Sequence, residues 1–201
     1  MHGLILRTFQ VFVQDTYGQS TWEAITGHAQ FEAGDFEAML NYPTETFDAI
    51  IAATEIELGK SSDLFLEDVG TYLVSHPNSE GLRRLLRFGG VDYIEFLHSL
   101  DDLPDRARLA VADLVLPDLE LRDMGQNTFR LTVGEGLPGF GFVMVGVLRA
   151  MADDYGALVL LNAEGVGMGE QEVDITLVES AFAAGRAFDL AAGGGAQGGA
   201  A

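Results

Sequence analysis

Histidines at positions 2, 28, 76 and 98 are the side chains best suited to hold a metal or move a proton. No cysteine joins them, which removes disulfides, thiolate ligands, a cysteine nucleophile and c-type haem attachment. His98 belongs to FLHSLDDLP, residues 96–104, an acidic and apolar stretch that runs into Pro104. His76 precedes Pro77 in a loop after an apolar helix, and His2 and His28 stand without supporting context. The pairs Asp101-Asp102 and Asp153-Asp154 offer carboxylates to a divalent cation, but adjacent carboxylates near helix ends are ordinarily just solvated. Gly134-Glu135-Gly136 and Gly165-Val166-Gly167-Met168-Gly169 lack the Lys-Ser/Thr of a phosphate loop and the strand–helix context of a dinucleotide fingerprint, so they read as turns. No G-x-S-x-G places a serine nucleophile. These residues give no case for an enzyme.

The elements that position these groups are short helices first and strands later. Leu4, Ile5, Phe9, Phe12 and Val13 form a helical stripe over 4–17, closed by Gly18. Ser20-Thr21-Trp22-Glu23 has the capping-box pattern and predicts a second helix start. Further helices are expected over 45–58 and 62–74, from a cap at Asn78 or Ser79 through Phe88, and over about 91–101. The period then changes. LPDLELRD and TFRLTV alternate around Met124-Gly125-Gln126-Asn127, which predicts a hairpin. GFGFVMVGVLRAMADDYG predicts a long apolar helix, and ALVLLNAEGVG with QEVDITLVE a second strand pair. The expectation is an α+β chain: an N-terminal helical subdomain over 1–60, then an α/β subdomain over 61–185 whose ββαββ sheet is mostly antiparallel. The Gly/Ala-rich stretch 186–201 reads as a flexible tail.

Composition narrows the partners. Of 201 residues, 48% are hydrophobic, including 13 Phe, enough to bury a sizeable core. The formal net charge of −20 repels nucleic-acid phosphates and anionic membranes and suits a basic partner face. No apolar run reaches the roughly 20 residues of a membrane span. The opening MHGLILRTFQVFVQDTYG lacks a signal peptide's small-residue cleavage site, so a cytoplasmic location is expected.

The opening MHGLILRTF, the TWE segment Thr21-Trp22-Glu23, FLHSLDDLP, Pro117 in LVLPDLEL, Asn127-Thr128, Gly136-Leu137 and the GLPGFGFVMVGVLRAMADDYG helix occur in one order. In that order the chain resembles the haem nitric oxide/oxygen binding (H-NOX, HNOB) family over about residues 1–180. The resemblance implies an H-NOX-like fold and a pocket lined by Ile5, Phe9, Leu103, Pro117, Met144 and Leu148. It also implies a signalling role, read by a partner such as a histidine kinase or cyclase.

Two departures bear on the cofactor. The family's L-D-x-L is followed by the proximal histidine, the protein ligand to haem iron. Here Leu100-Asp101-Asp102-Leu103 is followed by Pro104, whose side chain has no donor atom. The family's Y-x-S-x-R clamp for the haem propionates is also missing. One register sets Thr132 at the Ser and Gly134 at the Arg, with Glu135 adding a negative charge. The expectation is therefore a haem-free, degenerate member without cofactor or metal, binding an apolar small ligand or a signalling partner. The alternative is a haem-binding NO/O2 sensor with a substituted axial ligand, either His76, first among the histidines, or a bound small molecule.

Overall fold

The computed structural model describes residues 1–31, 35–165 and 169–186. The first helix, α1 (Gly3–Tyr17), buries Leu6, Phe9, Phe12 and Val13 on one face. Gly18, at φ +95°, turns the chain directly into α2 (Gln19–His28). The capping box expected at Ser20 does not form. The glycine starts the helix two residues early, so Ser20 and Thr21 already lie inside its first turn, and the Thr21 hydroxyl donates back to the Tyr17 carbonyl oxygen at 3.0 Å. α3 (Thr44–Leu58) ends on Gly59 in the left-handed region, and α4 (Ser62–Ser75) follows. Phe9, Phe12, Phe47, Phe65 and Tyr72 pack these helices ring against ring, with centroids 5.2–5.9 Å apart.

A 3-10 turn at Pro77–Ser79 leads into α5 (Glu80–Arg87). The helix expected over about 91–101 is divided. α6 (Tyr93–His98) is capped by the Asp92 carboxylate, which accepts from the Glu95 N–H at 2.9 Å. A 3-10 turn spans Leu100–Asp102, and α7 (Leu103–Ala110) begins immediately after it. Pro104 thus opens a helix instead of ending one. In a first turn its missing N–H has no partner to lose, and its fixed φ suits the helix.

The second half is built on β1 (Leu119–Gly125), β2 (Thr128–Val133), α8 (Phe140–Tyr155), β3 (Leu158–Gly165) and β4 (Gln171–Glu179). The sheet order is β1-β2-β4-β3, and every pairing is antiparallel. The fold is α+β, as the change of period predicts. Gln126 (φ +54°) and Asn127 (φ +60°) turn the first hairpin with the left-handed backbone that matches strand twist. Phe129, Leu131 and Val133 on β2 and Val173, Ile175 and Leu177 on β4 are buried, and α8 packs between the sheet and α4. The Gly/Ala-rich stretch expected over 186–201 lies outside the described residues from 187 onward, as do Val166–Met168 of the glycine-rich turn. Among the described residues no helix is long and apolar enough to cross a membrane.

Candidate functional site

The apolar stripes of α1, α4, α5, α7 and α8 converge without meeting, and a cavity of about 400 Å³ lies between them. α1 contributes Ile5 and Phe9, α5 contributes Leu82 and Leu86, and α7 contributes Leu103 and Ala107. Met144 and Val147 reach it from α8, and Val69 from α4. Leu4 and Ile5, expected on the α1 stripe, are only half-buried because they face this space. The hydroxyl of Thr8 in the wall is already committed, donating to the Leu4 carbonyl oxygen at 2.8 Å. No histidine, tyrosine, lysine, arginine or carboxylate lines the cavity among the described residues. A void of this size and lining has the character of a small-molecule site.

The six residues that the resemblance places in a pocket divide. Ile5, Phe9, Leu103 and Met144 line the cavity. Pro117 lines a second, smaller pocket of about 250 Å³ beside it, together with Ile5, Leu116 and Leu137. Leu148 is fully buried in the core and lines neither. Apart from Leu103, the α5 and α7 lining was missed in the sequence. Its signal was present: Leu103, Ala107, Ala110 and Val111 recur at helical spacing just past the proline.

Each histidine is used elsewhere. His76 caps the turn before α5, its Nδ1 accepting from the Asn78 N–H at 3.3 Å and lying 3.9 Å from the Asp15 carboxylate, with its ring stacked 4.5 Å from that of Tyr72. His98 is exposed at the end of α6, edge-on to Phe129 at 5.9 Å. His28 lies 3.4 Å from Glu57. His2 caps α1 through Nδ1, which accepts from the Leu4 N–H at 3.2 Å. Pro104 is buried in the first turn of α7 but does not line the cavity, whereas its helix neighbours Leu103 and Ala107 do.

On β2, Arg130 and Thr132 lie on the face opposite the core, and Arg130 pairs there with Asp174 at 2.8 Å and Glu172 at 3.3 Å. Residues two apart on the inner face are Leu131 and Val133, and Glu135 follows them to the smaller pocket. Ordinary haem needs an axial donor and cationic or hydrogen-bonding partners for two propionates. Met144 offers this cavity a thioether sulfur, and among the described residues no cation lines it. The donor set does not fit histidine-ligated haem. Groups with displaced pKa values also lie away from the cavity. The most buried is Tyr93, whose phenol burial pushes up while it donates to the Leu148 carbonyl oxygen at 3.1 Å.

Known proteins with this arrangement are distant in sequence. Over 155 residues the chain is 22% identical to the soluble guanylate cyclase 89Db of Drosophila melanogaster, covering 77% of this chain and 23% of the cyclase. The chain therefore spans about a quarter of the length of the curated relatives it matches. The H-NOX protein from K. algicida, solved as Fe(II) unliganded, superimposes with a TM-score of 0.76 at 17% identity, over 89% of this chain and 97% of its own. A mutant of T. tengcongensis H-NOX gives 0.72 at 14% identity, over 90% and 99%. These likenesses show the H-NOX fold. The sequence profile described as Haem-NO-binding matches residues 2–161, most of the chain, and with the fold and the cavity in place the chain belongs to the Haem-NO-binding family.

Proposed function

We propose that this chain is a haem-independent sensory module of its family. In this reading the cavity takes an apolar small ligand, and a signalling protein such as a histidine kinase or a cyclase senses its occupancy. One observation supports the reading: the cavity has useful volume, but among the described residues its wall offers no imidazole and no cation. The curated relatives are cyclases, and the part that matches is their sensor region, so no catalysis is assigned to this chain. The wall joins α1, from the expected 1–60 subdomain, to α4, α5, α7 and α8 of the 61–185 subdomain. A ligand wedged there would set the spacing of the two, and that spacing is the signal we assign to it.

The test is hemin titration of the protein followed by Soret absorbance, alongside titration with the neutral apolar dye Nile red. The reading expects no sharp Soret band and saturable Nile red fluorescence. Ala107→Phe should weaken dye binding at least tenfold by filling the cavity. A sharp Soret band at one hemin per chain would overturn the reading in favour of a haem-binding NO/O2 sensor with a substituted axial ligand. Met144, whose sulfur lines the cavity, would then precede His76 as candidate: Met144→Leu should abolish that band and His76→Ala should leave it.

A further inference from the structure

The apolar cavity has a polar annex. Ile5, Leu116 and Leu137 line both the cavity and the smaller pocket, so the two share a wall. The remaining wall of the smaller pocket carries Asp113, Glu135, Asn41 and Thr44, all exposed, and His2, which is 7% exposed. Among the described residues neither Asp113 nor Glu135 has an ion pair or a hydrogen bond. Among the described residues no lysine or arginine lines either pocket. The Met1 ammonium on the same wall donates to the Tyr42 carbonyl oxygen at 2.8 Å and offsets one of the two carboxylate charges, so the wall stays net negative. His2 has used Nδ1 to accept from the Leu4 N–H, and among the described residues its Nε2 makes no hydrogen bond.

Two unpaired carboxylates beside a greasy cavity select the sign of a ligand's head. A carboxylate head would face like charges, whereas an ammonium head brings three donors to acceptors that lack partners. We infer that the two pockets form one site for an amphipathic ligand with an apolar tail and a cationic head, a lipophilic amine. The tail occupies the cavity, and the head meets Asp113 and Glu135. This inference rests on the ligand-binding reading above and adds the head-group chemistry to it. Because the carboxylates stand in solvent, the head supplies selectivity and the tail supplies most of the affinity.

The test compares three probes with the same tail, dodecylamine, dodecanol and dodecanoate, each below its micelle concentration, as competitors of Nile red. The amine is expected to bind about tenfold more tightly than the alcohol, and the carboxylate more weakly than both. In the double variant Asp113→Asn/Glu135→Gln the preference for amine over alcohol should shrink to about twofold while alcohol binding is kept. The control Glu23→Gln/Glu179→Gln removes the same charge from residues that line neither pocket, and should keep the full preference. If the alcohol binds but the amine has no advantage, or both double variants behave alike, the inference is overturned and the cavity reading stands. If neither the dye nor any probe binds, both fall together.

Discussion

Asp154 is a carboxylate held almost wholly out of water, at 1% exposure near the end of α8. One of its oxygens accepts from Arg83, with Nε at 2.9 Å and Nη2 at 2.8 Å. Arg87 lies 3.6 Å from the other oxygen and stacks 4.0 Å over the Tyr155 ring, while Arg186 approaches to 3.8 Å. A buried pair adds little over a well-packed apolar pair, but removing one partner strands the other charge. Asp154→Asn should therefore cost about 3 kcal/mol, read as a fall in the urea midpoint. The buried tyrosines predict behaviour at high pH. Burial, then the 2.6 Å hydrogen bond to Asp15, pushes the Tyr72 phenol up to about 12, and burial raises Tyr93 and Tyr155 as well. A phenol raised above its unfolded value adds stability that is complete below pH 10 and is lost as pH rises through the folded value. Thermal melts should hold their midpoint up to about pH 10 and fall steeply towards pH 12, less steeply in Tyr72→Phe.

Helices α4 and α8 cross closely because each carries a glycine at the crossing. A methyl on Gly70 would run into the Val143 carbonyl, and one on Gly146 into the Glu67 carbonyl. Both obstacles are backbone atoms, so neither can swing aside. Gly70→Ala should destabilise by about 2 kcal/mol despite alanine's better helix propensity, as measured by chemical denaturation. Because Val69 and Val143 line the cavity beside this crossing, the variant should also weaken Nile red binding. The same scale explains what the sequence did and did not disclose. The α4 and α8 segments are long and apolar, and both helices are where the sequence puts them. α7 was missed because Pro104 reads equally as a stop or as a start. Only the turn at Leu100–Asp102, which re-aims the chain, decides which it is.

Across the molecule, charge opposes compaction. Thirty-one acidic against 11 basic residues leave a net −20, and few of the ion pairs are buried. Screening this self-repulsion should stabilise the folded state. Raising NaCl from about 10 mM, where the Debye length is roughly 30 Å, to about 100 mM, where it is roughly 10 Å, should raise the melting temperature by a few degrees. Double neutralisation at Asp113 and Glu135 should raise it slightly as well, a sign opposite to that expected for residues that hold the fold together.

The sequence by itself determined the α+β order, the hairpins and the family, since periodicity, turn residues and the order of motifs are all local properties. It also determined that no histidine follows Leu103, because an absent side chain needs no coordinates. The tertiary structure alone decided which apolar residues face a cavity and which are plain core. Met144 and Leu148 sit one turn apart on α8, yet only Met144 meets open space. That depends on how closely α4, α5 and α7 approach α8, a packing distance no single stripe encodes. Tertiary structure likewise brought Asp113 and Glu135, 22 positions apart, to one pocket wall. In the sequence each looks like an ordinary solvated acid, and any shared chemistry depends on the fold bringing both to one pocket wall.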